Sequence, residues 1–302
     1  MGDTKLFKIT NNQALQLSSK SVELERSLQN IIEKNMEVFF GVAFLESEYS
    51  TGKVHGGRID SLGIDENNCP VIFEYKRSIN ENVINQGLFY LDWLMDHQET
   101  FELLVMKKLG KDISEKIEWS GPRLICVAGD FTKYDEYAVK QINRNIELIR
   151  YIKFEDDLLM FELVNVTTAQ NQGVTASKSN KNQVYKTVSE YIAQLDPKTS
   201  DLYETIKAYI LSLGDDVQDK TLKYYQAFKR IKNFVCLEVR PQVKTVLLYL
   251  KVNPDEIDLK DGFTRDVRKI GHFGTGDLEI TINNDNQFEN AKTLILKSYE
   301  NG

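Results

Sequence analysis

Asp60 closes the run Gly57-Arg58-Ile59-Asp60, and Glu74-Tyr75-Lys76 begins fourteen residues after it. Two carboxylates and an ammonium could share one divalent cation and one attacking water, which is the chemistry of phosphodiester hydrolysis. A hard cation between them removes the repulsion that otherwise raises a carboxylate pKa. Lys76 then serves as a positioned cation beside the water or the scissile phosphate. The same letters also suit a surface ion pair between Glu74 and Lys76, so the surrounding elements decide between the two.

Val71 to Lys76 is apolar, β-branched and aromatic and follows a turn-rich stretch, Asp65-Glu66-Asn67-Asn68, and Pro70, so it reads as a strand. Alternation puts Ile72, Glu74 and Lys76 on one face. Arg58 to Ile64 reads as a second strand, and an antiparallel hairpin between the two brings Asp60 close to Glu74. Asn80 is a plausible N-cap for a helix from Glu81 to His97. Gln86 and Tyr90 lie four apart on one face of it, able to hydrogen-bond phosphate oxygens or a metal-bound water. Upstream, Val22 to Asn35 has the apolar stripe Leu24, Leu28, Ile31 and Ile32, and Glu25 falls at its edge, where a carboxylate needs a partner.

Together these residues resemble the PD-(D/E)XK nuclease superfamily, and within it the NucS-like branch of mismatch and branched-DNA endonucleases. Glu25, Gly57-Arg58-Ile59-Asp60 and Glu74-Tyr75-Lys76 carry the resemblance, with Gln86 to Tyr90 similar to the Q-x-x-x-Y motif of RecB-type nucleases. It spans about half the chain, from Val22 to Phe161. It implies a restriction-endonuclease-like mixed sheet flanked by helices. It further implies that Asp60 and Glu74 bind Mg²⁺ or Mn²⁺, that Glu25 is an accessory metal- or water-orienting carboxylate, and that Lys76 assists the nucleophile. Gln86 and Tyr90, with Arg58, are expected to contact DNA near the site. NucS proteins carry a DNA-binding domain ahead of the nuclease, whereas about twenty residues precede the first helix here, so mismatch specificity does not transfer.

Composition is compatible with this reading. With 302 residues, 41% of them hydrophobic, the chain can bury two cores. No run reaches the length of a membrane span and the N-terminus lacks a secretory pattern, so no membrane association is expected. Cys69, Cys126 and Cys236 have no metal-ligand spacing and suit buried thiols in a cytoplasmic protein, and His55, His97 and His272 share no ligand spacing either. Net charge is −7, and it divides unevenly: residues 1 to 168 hold 19 Lys and Arg against 27 Asp and Glu, leaving 19 against 18 in the remainder. The half with the catalytic motif is the acidic one, so grip on a nucleic acid must come from a local patch, a metal or a second subunit.

The organisation read from the sequence is an α/β (α+β) nuclease-like domain over residues 1–166, a flexible linker over 167–183, and a smaller α+β domain over 184–302. The first domain ends with strands from Ile146 to Lys153 and Leu158 to Val166, preceded by a strand from Pro122 to Ala128 and a helix from Tyr134 to Asn143. In the second, helices are expected from Val184 to Leu195, Ser200 to Leu213 and Asn286 to Tyr299. Strands are expected near Leu222 to Ile231, Phe234 to Val239, Val243 to Leu250 and Asp277 to Ile282. This second half looks like an uncharacterised domain often found beside such nucleases, a likeness that supplies no activity.

Lys223, Lys229 and Arg230 interleave with Tyr224, Tyr225 and Phe228, a pattern that suits nucleic-acid binding or a half-buried strand with solvated lysines. Gly271-His272-Phe273-Gly274-Thr275-Gly276 lacks a Walker A ending and reads as a tight turn. The reading that combines these features is a metal-dependent DNA endonuclease, and repair, restriction of invading DNA and recombination all use that chemistry. A silent nucleic-acid-binding or regulatory protein on the same fold, and a nuclease directed at RNA, are the alternatives. Cutting both strands commonly takes two active sites, which makes a homodimer an expectation too.

Overall fold

Arg123–Ala128 buries every residue, the pattern of a strand covered on both faces, and the first of two units is built around it. The computed structural model describes residues 4–20, 25–76, 83–167 and 186–302. Its two compact units are Met1–Asn171 and Gln172–Gly302. The first opens with a hairpin of β1 (Phe7–Thr10) and β2 (Gln13–Gln16), turned at Asn11 and Asn12, both at positive φ. Then follow β3 (Ser19–Lys20), α1 (Glu25–Lys34), α2 (Met36–Phe40), β4 (Val42–Ser50), α3 (Gly52–His55), β5 (Arg58–Asp65) and β6 (Pro70–Lys76). The unit continues through α4 (Val83–Asp96), α5 (Gln98–Leu109), α6 (Lys111–Ser114), β7 (Arg123–Ala128), α7 (Lys133–Lys140), β8 (Asn145–Phe154) and β9 (Leu158–Thr167).

Seven strands form one mixed sheet in the order β3-β8-β7-β6-β5-β4, with β9 also paired to β8. The expected hairpin is present, Ser61 opposite Phe73 and Ile64 opposite Pro70, while β6, β7 and β8 run parallel. Leu62, Ile72, Leu91, Leu94, Leu124, Ile146 and Leu148 fill the core. Gly87 lets α4 approach β7 closely: a Cβ there would stand 2.4 Å from Leu124 Cδ1, so any larger residue requires the buried Leu124 side chain to shift. Where β5 ends and β7 and β8 begin, the buried Arg123 guanidinium donates to Asp65 Oδ2 at 2.9 Å and to both oxygens of Glu147 at 2.8 and 2.9 Å.

The second unit comprises α8 (Val188–Ile192), α9 (Pro197–Leu211), β10 (Gln218–Thr221), β11 (Gln226–Lys229), β12 (Asn233–Arg240), β13 (Thr245–Leu250), β14 (Thr264–Asp266), β15 (Leu278–Ile282) and α10 (Asp285–Asn301). Its six strands are all antiparallel, in the order β10-β11-β12-β13-β15-β14. Ile206, Ile210, Phe234, Leu248, Ile280 and Ile295 belong to its separate core.

Several boundaries differ from the sequence reading. The strand expected from Leu222 to Ile231 is confined to β11, because Leu222 N–H donates to Tyr225 O and closes a hairpin with β10, which the sequence reading did not contain. The helix expected from Val184 starts at Val188, where Thr187 and Glu190 form a capping box. A second capping box at Thr132 and Asp135 starts α7, which ends at Lys140 rather than Asn143. Val22, the Asn80 cap and all of the expected linker except Thr167 lie outside the described residues. Gly274 and Gly276 hold positive φ and a Cβ on Gly274 would stand 2.6 Å from Cys236 Cβ, so this turn does press its backbone on the sheet. All three cysteines are free and buried. Among the described residues no helix is long and apolar enough to cross a membrane.

Candidate active site

The hairpin of β5 and β6 ends with Asp60 and Glu74 one step beyond the Ser61 and Phe73 pair. Each strand's backbone holds the other's carboxylate: Asp60 N–H donates to Glu74 Oε1 at 3.3 Å, and Tyr75 N–H donates to Asp60 Oδ2 at 3.0 Å. Glu74 is fully buried and its second oxygen, Oε2, accepts no hydrogen bond, while the Glu74 and Asp60 side chains lie within hydrogen-bond reach of each other once one of them carries a proton. An unpartnered buried carboxylate oxygen is costly unless a proton or a cation reaches it.

Burial is the main force on both acids. It lifts Glu74 to about 9, reinforced by the Asp60 charge and opposed by the Asp60 amide and Lys76. It lifts Asp60 to about 6, against the Tyr75 amide and Lys76, with Glu25 and Glu48 pushing the same way as burial. Near neutral pH the metal-free pair therefore keeps a proton on Glu74. Because both values lie above those of an unfolded chain, the folded state binds the extra protons, and its stability is lost as pH rises from about 4 through about 6 and about 9. The melting temperature of metal-free protein is expected to fall across that window. Added Mg²⁺ should raise it most at the alkaline end, and a melting curve indifferent to pH would contradict this.

Lys76 pairs with Glu25 of α1, Nζ to Oε1 at 3.5 Å, so the leading helix steadies the cation. Glu25, Asp60 and Glu74 do not form a three-ligand cluster, and among the described residues no group of three His, Cys, Asp or Glu side chains is placed to hold a metal ion. An ion on Asp60 and Glu74 would complete its shell with water or substrate, as Mg²⁺ commonly does.

On α4, Gln86 Nε2 donates to Tyr90 Oη at 3.4 Å, and Arg58 N–H donates to the same oxygen at 3.2 Å. The buried Tyr90 thus fixes the entry of β5. Gly57 makes this possible, since a Cβ there would stand 2.6 Å from Tyr90 Cε1 and 2.8 Å from its Oη. Gly57→Ala is expected to displace the ring and cost about 1 to 3 kcal/mol of stability, measurable by urea unfolding. An unchanged midpoint would show that the ring moves freely.

Sequence reasoning missed Glu48. It lies between Ser47 and Tyr49, whose partners are Ser61 and Ile59, so it faces Asp60 across the β4 and β5 pair, held at a φ of 51°. It pairs with the exposed Arg58 at 3.3 Å. Also missed was a supporting network: Gln29 Nε2 donates to Asp60 O at 2.8 Å and to Glu33 Oε1 at 3.0 Å, Ser61 Oγ donates to that same Glu33 oxygen at 2.6 Å, and Tyr75 Oη donates to Ser61 Oγ at 3.1 Å. Gln29 follows Glu25 by one helical turn, the single signal that could have placed it.

Lys223, Lys229 and Arg230 are not brought into one open patch. Lys229 is buried, Arg230 donates to Asp216 Oδ2 at 2.6 Å with its guanidinium over Tyr299, and Lys223 sits over the Tyr224 ring in the turn before β11. Phe228 is wholly in the core.

A family model described as a domain of unknown function, DUF5655, matches residues 188–302. An uncharacterized protein of Haemophilus influenzae is 29% identical over 303 residues, covering 97% of this chain and 99% of its own. Among solved structures, similarity extends to a repair endonuclease from Pyrococcus abyssi, at 20% identity and a TM-score of 0.29 over 44% of this chain and 49% of that one. It extends also to EndoMS in complex with double-stranded DNA, at 16% identity and a TM-score of 0.25 over 49% of this chain and 64% of that one. The chain thus spans about half the length of the first and under two thirds of the second.

Proposed function

We propose that residues 1–166 form a metal-dependent DNA endonuclease, joined through 167–183 to a second α+β domain over 184–302. The observation that carries this reading is the buried Glu74 beside the half-buried Asp60, two carboxylates whose pKa values burial raises despite Lys76, with Glu74 Oε2 accepting no hydrogen bond. A hard divalent cation fits that donor set, with Asp60 and Glu74 as its protein ligands. When bound, Mg²⁺ or Mn²⁺ would lower the pKa of a water and offset charge on a phosphodiester.

The chain's own residues have separate roles in this reading. Lys76, held by Glu25, places a positive charge beside the phosphate and the attacking water. Glu25 acts on Lys76 rather than on the cation. Tyr90 and Gln86 hold the Arg58 backbone and with it the start of β5, which sets where Asp60 stands. Arg58 offers an exposed guanidinium to a phosphate.

Incubation of the purified protein with plasmid, linear, branched, mismatched and single-stranded DNA, in Mg²⁺, Mn²⁺ or EDTA, tests the proposal. Cleavage is expected only with metal, and Lys76→Ala is expected to lose roughly a hundredfold or more of the rate while keeping cation binding. Binding of DNA without cleavage in either metal would replace the enzyme by a binding protein.

A further inference from the structure

We propose that the turn between β4 and β5, with the exposed ring of Phe89, binds one unpaired nucleotide of the substrate strand next to the scissile phosphate. The location of the scissile bond rests on the nuclease reading; the binding site itself does not.

The turn is closed on itself. Thr51 N–H donates to Gly57 O at 3.0 Å, and Gly57 N–H donates to Thr51 Oγ1 at 3.0 Å. Beside it lies a solvent-open hollow of about 400 Å³ lined by Ser50, Gly52, Lys53, Gly56, Gly57 and Arg58. Gly52 and Gly56 hold φ of 81° and 64°, and a Cβ on either would meet nothing within 4 Å. Bare backbone therefore forms part of the wall, and a phosphate can approach it closely. Lys53 and Arg58 supply positive charge at the same place, both exposed. Among the described residues Arg58 pairs with Glu48, in a contact open enough to water to be weak and exchangeable for a phosphate.

The same turn carries a ring platform. The His55 imidazole lies 4.9 Å from Phe89, which is 46% exposed although its neighbour Tyr90 is buried. Phe89 follows Gln86 by three residues and so shares its helix face. A base stacked on Phe89 gains the kind of contact that single-strand-binding proteins take from exposed rings. Arg58 and Asp60 are two residues apart on one face of β5, roughly 7 Å along the strand. A phosphate on Arg58 and another at Asp60 and Glu74 can thus belong to adjoining nucleotides, with the base turned onto Phe89. In a duplex that base is already paired and stacked, so the ring selects an unpaired one.

Fluorescence anisotropy in EDTA, where no cleavage competes, tests this with a labelled single strand of DNA, the same strand as RNA, and the fully paired DNA duplex. Wild type is expected to bind the unpaired DNA or RNA strand about tenfold more tightly than the duplex. Phe89→Ala should lose about tenfold on the unpaired strand and nothing on the duplex, with Phe89→Trp restoring it. Lys53→Glu should weaken binding and flatten its salt dependence. Wild-type affinity in Phe89→Ala, or an equal loss on duplex and single strand, overturns the proposal. The two readings fail separately: absence of metal-dependent cleavage removes the nuclease and leaves this result standing, whereas cleavage with an indifferent Phe89→Ala removes only the nucleotide site.

Discussion

In the nuclease proposed above, Glu74→Gln is expected to abolish metal-dependent cleavage and, in metal-free protein, to raise the melting temperature. The two effects share one cause. Glu74 is buried beside Asp60, and its ionised form is disfavoured by burial first and by that neighbouring charge second. Glutamine keeps the shape and the acceptor that receives the Asp60 amide. It also sets an amide donor beside the Asp60 carboxylate, where the acid must otherwise keep a proton. Each pKa unit between the unfolded and folded values corresponds to about 1.4 kcal/mol of differential stability. Wild type loses that stability as pH climbs toward about 9, so the variant's advantage should grow with pH and reach a few kcal/mol at the alkaline end. Cleavage should fall roughly a thousandfold, because a neutral amide no longer balances a divalent cation. Gel assays with Mg²⁺ and melting curves in EDTA check the two halves. Retained cleavage, or a variant that melts with the same pH dependence as wild type, would refute the assignment.

Arg123→Met should damage the fold most. Its guanidinium is 4% exposed and serves Asp65 and Glu147, themselves 0% and 3% exposed at the side chain. Desolvation opposes its charge, yet the two carboxylates win and raise its pKa further. Deleting it removes the guanidinium that two buried carboxylates share, a loss of about 3 to 5 kcal/mol. Trp93 and Trp119 both lie in the first unit, so tryptophan emission during urea unfolding reports on that unit alone. A companion Arg123→Met, Glu147→Met double variant removes one of those carboxylates and should recover part of the loss. A single variant within about 1 kcal/mol of wild type would mean that water reaches the trio.

Much of the first unit's geometry was legible because it is local. Alternation in Val71 to Lys76 and in Arg58 to Ile64, with a turn between, fixes the strands and brings Asp60 to Glu74; four-residue spacing puts Gln86 beside Tyr90. What escaped is set by contacts across distant segments. The ion partner of Lys76 sits on a helix 51 positions earlier, and no spacing announces it. Glu48 faces Asp60 only because the β4 and β5 register shifts between Phe44 and Glu46. The basic and aromatic run before Ile231 has the composition of a binding strand, but a hairpin turn at Leu222 to Tyr225 and the burial of Phe228 and Lys229 divert it into structure. The hairpin of β1 and β2 was not read at all, since its residues are exposed and carry no buried alternation.

The two ends of the β5 to β7 sheet differ in one respect that reaches into how variants survive. Where Arg123 sits, opposite charges meet within the protein; where Glu74 sits, like charges meet, and burial together with that repulsion outweighs Lys76. A population of random variants sorted for protein abundance should therefore be depleted at Arg123 and tolerant, even enriched, at Glu74. The same population sorted for cleavage should be depleted at both. Folding pressure alone would let the Glu74 end drift, so in the proposed nuclease keeping its carboxylate is a task left to activity.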